Sequence, residues 1–197
     1  MINYFSEIIT NFFINNSIIS SEEKNIYKYG AEITISSLLG ILIIILISVI
    51  LGKIQDGILF LLCFIPIRIY TGGYHMDTYL KCNVTFISVF FIILFLSYNI
   101  PKQFEFQIGI ICLIISLIII SILSPIENKN KPLDHKEIKK YKKIGIFVSF
   151  LWSLIAIILF QFNINIFLLV SLTMLIIAIL MIVEKIKNYK NKKGVAL

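Results

Sequence analysis

Six long apolar runs are the feature that most constrains the fold of this chain. A helix needs about 20 apolar residues to cross the roughly 30 Å of hydrocarbon in a bilayer. The second run is short and contains Pro66, which predicts a helix that is kinked, tilted or partly re-entrant. The runs extend over Ile33–Leu51, Ile58–Tyr70, Tyr79–Tyr98, Phe106–Leu123, Ile144–Phe160 and Ile164–Val183. The sequence therefore predicts an all-α integral membrane protein with six transmembrane helices.

The segment before the first run has a different pattern. Residues 1–30 mix polar residues with apolar ones at helical spacing, such as Phe5, Ile8 and Phe12. This pattern is typical of an amphipathic helix that lies in the membrane interface. The segment lacks the basic start and the small-residue cleavage site of a signal peptide, so we do not interpret it as one.

The basic residues are divided unevenly between the two sides of the predicted membrane protein. With the N-terminus in the cytoplasm, all of the 18 Lys and Arg residues except Lys53 and Lys102 fall on the cytoplasmic side. This distribution satisfies the positive-inside rule and predicts that both termini are cytoplasmic. It also predicts a basic cytoplasmic loop at 124–143 and a basic cytoplasmic tail at 184–197.

These lysine clusters have two interpretations. The lysines of the tail are explained by topology and by contact with anionic lipid. Those of the loop, where prolines make a defined turn, are equally consistent with holding an acidic peptide. The net charge of +7 does not indicate a nucleic-acid partner, because charge distribution matters more than its sum in a membrane protein.

One polar stretch, residues 68–82, separates the second run from the third on the predicted cytoplasmic face. It contains Arg68, the pair Gly72-Gly73, His75 and Cys82. Polar groups near hydrocarbon cost roughly a few kcal/mol unless they are paired or wetted, so such clusters usually serve a function. A cysteine and a histidine are also the smallest set of side chains that can carry out thiol nucleophilic catalysis.

The spacing of the two residues sets a condition on their geometry. On one straight helix His75 and Cys82 would stand about 10.5 Å apart along the axis, whereas proton transfer needs about 3 Å. Gly72 and Gly73 break a helix, so His75 can lie on a loop that folds back toward Cys82. The loop amides, or Arg68, would then stabilise an oxyanion.

Cys82 is placed where a thiolate is favoured. It begins the third run, near a predicted helix N-terminus, with Lys81 and Arg68 nearby. The competing interpretation is that His75 is a hydrated polar side chain and Cys82 a packing residue. The spacing alone supports the catalytic and the competing interpretation about equally. His135, in the basic loop, is interpreted as a solvated side chain.

The other cysteines indicate no further chemistry. Cys63 and Cys112 lie inside apolar runs, where a thiol behaves as a small hydrophobe. Three scattered cysteines and two histidines predict neither a disulfide framework nor a metal site, and no cofactor is expected.

The pattern Arg68-x-x-x-Gly72-Gly73-x-His75, with Cys82 seven residues further on, resembles the AgrB family. These are the membrane peptidases that process quorum-sensing propeptides in Gram-positive bacteria. The proline and lysine loop from Pro125 to Pro132 continues the resemblance, and the length and the six runs agree across nearly all of 1–197. Only the pair Met76-Asp77 departs from the small or hydroxyl residues expected there.

The resemblance implies a function for the polar stretch. Cys82 would attack a peptide bond of an AgrD-like propeptide, with His75 as general base and then acid, and a thiolactone or lactone would form. Arg68, Lys129 and Lys131 are implied to position the substrate. A homodimer in the bacterial cell membrane, with the active site at the cytoplasmic face, is implied as well.

Two other functions remain open from the sequence. A small peptide exporter would need polar residues in several spans that meet near the midplane, whereas these spans are almost purely Ile, Leu, Phe and Val. A structural membrane subunit would not need the polar stretch, and its function would survive replacement of Cys82.

Overall fold

The computed structural model describes residues 2–73, 78–127, 133–161 and 164–194, with the backbone alone at 164 and 191–194. A 3₁₀ turn at Ser21–Glu23 precedes the second helix. The α-helices of these residues are α1 (Ile2–Asn15), α2 (Lys24–Ile50), α3 (Ile54–Thr71), α4 (Tyr79–Asn99), α5 (Lys102–Leu123), α6 (His135–Phe160) and α7 (Ile164–Gly194). Helices α2 to α7 are each long and apolar enough to cross a membrane. The six predicted spans are thus confirmed, and the chain is a multi-pass membrane protein.

Helix α7 forms the centre of the bundle, with α3, α4, α5 and α6 packed around it. Gly109 of α5 permits a close approach, because a Cβ there would overlap the Phe167 ring. Lipid is as apolar as this core, so close packing rather than the hydrophobic effect holds such helices together. The fully buried side chains of α7 include Phe167, Leu168, Leu169, Met174, Ile177 and Met181.

The short N-terminal helix is confirmed, although it is shorter than the predicted segment 1–30. Helix α1 ends at Asn15, and the residues from Lys24 onward belong to α2. Helix α1 packs along α2 and buries Ser6 and Thr10 there, while its large apolar side chains are exposed. The exposed set is Tyr4, Phe5, Ile8, Ile9 and Phe12. An outward apolar face agrees with a helix in the membrane interface.

Helices α6 and α7 extend into the predicted basic loop and the predicted basic tail. Helix α6 begins at His135, so much of the predicted basic loop 124–143 is helical. The Asp134 side chain accepts a hydrogen bond from the His135 amide, and the Asp134 amide donates to Glu137 at 3.0 Å, which starts the helix. Helix α7 likewise continues through the predicted tail to Gly194. Hydropathy does not detect these ends, because their side chains are charged.

Helix α3 is continuous through Pro66 and has 18 residues. This continuous helix is long and apolar enough for a full span, which favours that interpretation over the partly re-entrant alternative. Proline removes one backbone hydrogen bond but leaves the helix intact.

Candidate functional site

Helix α3 ends at the glycine pair, as predicted. Gly72 has φ 72° and Gly73 has φ 134°, a region in which other residues are strained. A Cβ on Gly72 would overlap the carbonyl of Ile126, and a Cβ on Gly73 would overlap the guanidinium of Arg68. The pair is therefore required by both backbone conformation and space.

Arg68 lies at the centre of this end of the bundle. Its Nη1 donates a hydrogen bond of 2.8 Å to the carbonyl oxygen of Gly72. The guanidinium is also within electrostatic range of Cys82 on α4 and of Glu184 on α7. Glu184 is only 4% exposed, and a buried carboxylate among membrane helices needs a cation close by. Arg68 thus closes the end of α3 and lies near ionisable groups of both α4 and α7.

The first residues after α5 lie at the same end of the bundle as Arg68. The Ile126 amide donates to the Thr71 carbonyl at 2.9 Å, and Ile126 forms a single parallel bridge with Gly72. The Asn188 side chain of α7 donates to the Glu127 carbonyl at 3.2 Å. We call this surface, formed by the ends of α3, α5 and α7 and the start of α4, the Cys82 end of the bundle.

Cys82 is the fourth residue of α4 and is exposed. Its amide donates to the Thr78 carbonyl at 3.1 Å, and the Thr78 hydroxyl accepts from the Lys81 amide at 3.4 Å, so Thr78 caps the helix. The helix dipole and Arg68 stabilise a thiolate in this first turn, whereas partial desolvation of the sulfur opposes it. The predicted position of Cys82 at a helix N-terminus is confirmed. Cys63 and Cys112 are buried, as expected for packing residues.

Three predicted site residues, His75, Lys129 and Lys131, lie outside the described residues. Of the others, the structure brings Arg68, Gly72, Gly73 and Cys82 together at one end of the bundle. The pairing of His75 with Cys82 stays a prediction.

Sequence reasoning missed two carboxylates at this end. Glu184 falls within the predicted basic tail, although it follows the buried Ile177 and Met181 at spacings of seven and three residues on one helical face. Glu32 precedes the first predicted run by one residue, yet it accepts a hydrogen bond of 2.9 Å from the Tyr79 hydroxyl. The helical spacing from buried positions was a usable signal for Glu184, and none was available for Glu32.

The fold and this surface define a polytopic α-helical membrane protein that carries a cluster of polar groups at one end, beside an exposed cysteine. The model of the accessory gene regulator B family matches residues 6–182, so the chain belongs to the AgrB family. This places it in the accessory gene regulator system of quorum sensing and confirms the resemblance of the sequence motif.

Curated relatives agree with the family match. A protein of Clostridium beijerinckii is 31% identical over 199 residues, covering 98% of this chain and 96% of the relative. A protein of Clostridium perfringens (strain SM101 / Type A) is 27% identical over 173 residues, covering 84% of this chain and 81% of the relative. Both are described as AgrB-like. No solved structure matches the chain significantly.

Proposed function

We propose that this protein is a membrane cysteine endopeptidase that cleaves the C-terminal part of an AgrD-like propeptide and promotes cyclisation of the remainder. The position of Cys82 carries the proposal: it is exposed, lies in the first turn of α4 and is within electrostatic range of Arg68. Membership of the AgrB family supplies the class of substrate and the quorum-sensing context.

The first step is cleavage. His75 takes the thiol proton of Cys82, and the thiolate attacks the carbonyl carbon of the scissile peptide bond. The carbon–nitrogen bond breaks, and the imidazolium of His75 returns the proton to the leaving amine. The C-terminal fragment departs, and the rest of the propeptide remains on Cys82 as a thioester. Arg68 stabilises the oxyanion between these states, because the Gly72 amide is already engaged by the Arg68 carbonyl at 3.1 Å.

The second step is cyclisation. A cysteine thiol or serine hydroxyl of the bound peptide attacks the thioester, and its proton passes through His75 to the leaving sulfur of Cys82. The product is a thiolactone or a lactone, and the free thiol of Cys82 is restored. Exchange between two thioesters is nearly balanced in energy, so departure of the cleaved fragment drives the reaction forward.

The placement of charge supports an active site at the cytoplasmic face. Arg68 and Lys81 lie at the Cys82 end, together with the lysines of the first turns of α6, whereas Lys53 and Lys102 lie at the opposite ends of their helices. By the positive-inside rule the Cys82 end is cytoplasmic, as are both termini. Lys129 and Lys131, in the connection between α5 and α6, would hold an acidic part of the propeptide there. We also propose a homodimer, which rests on the family.

The buried hydroxyl groups disfavour the peptide-exporter alternative. A translocation path requires polar groups that face one another near the midplane. The buried hydroxyls of Ser48, Ser149 and Ser171 instead donate to carbonyls four residues earlier in their own helices, at 2.7–2.8 Å. The single donor of each of these three hydroxyls is therefore used within its own helix.

The proposal is tested by intact-protein mass spectrometry of the purified protein in lipid. The substrate is a synthetic propeptide whose ring-forming residue is replaced by Ala, so that cyclisation cannot remove the acyl group. Cys63→Ala and Cys112→Ala form the background, which leaves Cys82 as the acceptor. We expect an adduct that hydroxylamine removes, together with release of the C-terminal fragment.

The variants Cys82→Ala and His75→Ala identify the reacting groups. We expect no adduct in the first and a rate reduced by about 100-fold or more in the second. Release of the C-terminal fragment by folded Cys82→Ala protein at the original rate would overturn the proposal.

A further inference from the structure

Helix α4, which carries Cys82, depends on α2 for its position at the Cys82 end. Helix α4 packs against α2 and α7, and it meets α3 through the rings of Phe86 and Phe90, which lie 5.1–5.3 Å from those of Phe60 and Phe64. These ring contacts begin at Phe86, one turn beyond Cys82. The orientation of the first turn itself therefore also depends on α2.

Two side-chain hydrogen bonds join this turn to α2. The Tyr79 hydroxyl donates to Glu32 Oε2 at 2.9 Å, and Asn83 Nδ2 donates to the Ser36 hydroxyl at 3.3 Å. The donors are four residues apart and share a face of α4, as the acceptors share a face of α2. Cys82 lies between them in sequence.

Helices α2 and α4 pack so closely that a small displacement of α4 would affect these hydrogen bonds. A Cβ added at Gly40 of α2 would lie 3.1 Å from the side-chain oxygen of Asn83 and 3.3 Å from the ring of Phe86. Phe86 continues the face of α4 that begins with Tyr79. A shift of the first turn along or around α4 would therefore break the hydrogen bonds and disturb close packing together.

Glu32 also lies against α1. Its Oε1 is 3.4 Å from the Ser6 hydroxyl, which makes a shorter bond of 2.9 Å to the Asn3 carbonyl. A hydroxyl has one proton, so Asn3 is the better acceptor and the Ser6 oxygen faces Glu32 as a weaker partner. The tyrosine bond is the stronger of the two contacts that Glu32 makes.

We propose that Glu32 and Tyr79 are positioning residues for Cys82, and that their hydrogen bond fixes the first turn of α4 relative to Arg68. This inference rests on the proposed function, because it assigns the two residues a role in the same reaction. Neither is a catalytic residue. A displacement of about 1 Å at a reacting group can reduce a rate by about 100-fold, so a distant hydrogen bond can have a measurable effect on catalysis.

The test compares the cleavage kinetics of Tyr79→Phe, Glu32→Ala and Glu32→Gln protein in lipid vesicles. We expect kcat to fall between about 10-fold and 100-fold in the first two, with KM within about twofold of the original. The Gln amide keeps an acceptor for Tyr79 and gains a donor for the Ser6 oxygen, so Glu32→Gln is expected to retain kcat within about threefold. The double variant that combines Tyr79→Phe with Glu32→Ala is expected to match either single variant, since both substitutions remove the same bond.

Helix α4 supplies a matched control at its other end. The Tyr98 hydroxyl donates to Asp56 Oδ2 at 2.6 Å, a tyrosine–carboxylate bond of the same kind between α4 and α3. The variant Tyr98→Phe removes this bond, and we expect kcat to be unchanged. Equal losses of kcat in Tyr79→Phe and Tyr98→Phe protein, matched by equal losses of thermal stability, would show that both bonds act only through folding and would overturn the proposal.

The same assay also tests the proposed peptidase function separately from the positioning role. If Cys82→Ala protein is inactive while Tyr79→Phe and Glu32→Ala retain full kcat, the positioning role is wrong and the peptidase function stands. If Cys82→Ala protein cleaves normally, the peptidase function itself fails.

Discussion

At the scale of single residues, the positions of the glycine pair and of the Arg68 side chain depend on each other. The guanidinium occupies the space that a side chain at Gly73 would take, and its hydrogen bond to the Gly72 carbonyl closes the end of α3. The motif of an arginine followed four residues later by two glycines is therefore a packing unit that places a cation near Cys82. The sequence indicated glycines that break a helix, but it could not show that the arginine folds back onto them.

Replacing Gly73 by Ala tests this unit, and Gly52 provides a matched control. Both glycines have φ in the left-handed region, but nothing lies within 4 Å of a Cβ built on Gly52. Gly52→Ala therefore adds only backbone strain of about 1 kcal/mol, whereas Gly73→Ala must also displace Arg68. We expect Gly73→Ala to lower kcat for propeptide cleavage about tenfold or more, and Gly52→Ala to leave it within about twofold.

The thermal unfolding of both glycine variants is measured as well, so that a loss of kcat can be distinguished from a loss of stability. Similar kcat values for Gly73→Ala and Gly52→Ala protein would show that the contact between Gly73 and Arg68 does not matter for the reaction.

At the scale of helices, the sequence predicted which helices exist better than it predicted the residues at which they begin and end. The start of α4 at Tyr79 was predicted to the residue, since the polar stretch before it is sharply different from the apolar run that follows. The start of α6 was missed by nine residues, because hydropathy begins at Ile144 while the helix begins at the cap of Asp134. Hydropathy reports contact with lipid, whereas helix ends are decided by hydrogen bonding at caps. The capping residues Asp134 and Glu137 were visible in the sequence and would have corrected this boundary.

The packing of α5 on α7 gives a prediction at this scale. The Phe167 ring is fully buried, lies against Gly109 and stacks within 5.9 Å of the Phe106 ring. Phe167→Ala leaves a cavity that neither helix can easily fill, so we expect it to lower the free energy of unfolding by about 3–5 kcal/mol. Phe95→Ala removes a ring that is 66% exposed, and we expect a change of about 0.5 kcal/mol or less. Denaturant titration in detergent micelles measures both, and equal destabilisation by the two would contradict the central position of α7.

At the scale of the whole molecule, connections distant in sequence meet at one end. The end of α3, the first residues after α5 and the last turns of α7 are joined through Thr71, Ile126, Glu127 and Asn188. Sequence reasoning placed the loops that follow α3 and α5 on the same side by counting spans and charges, but hydrogen bonds between these segments depend on how the helices pack. The bridge between Ile126 and Gly72 brings the start of the lysine loop to the end of α3, beside the proposed oxyanion site. Substrate binding and chemistry would thus share one surface.

The orientation of that surface is tested with intact cells and a membrane-impermeant maleimide. In a background with Cys63→Ala and Cys112→Ala, Cys82 is the labelling site at the Cys82 end. For the opposite end, Gln55→Cys in a Cys82→Ala chain places a thiol at an exposed position in the first turn of α3. The basic residues cluster at the Cys82 end, so we expect Cys82 to be labelled only after the cells are opened and the position 55 thiol to be labelled in intact cells. Labelling of Cys82 in intact cells would place the cysteine outside, where a propeptide made in the cytoplasm reaches it only after export, and the order of cleavage and export would be reversed.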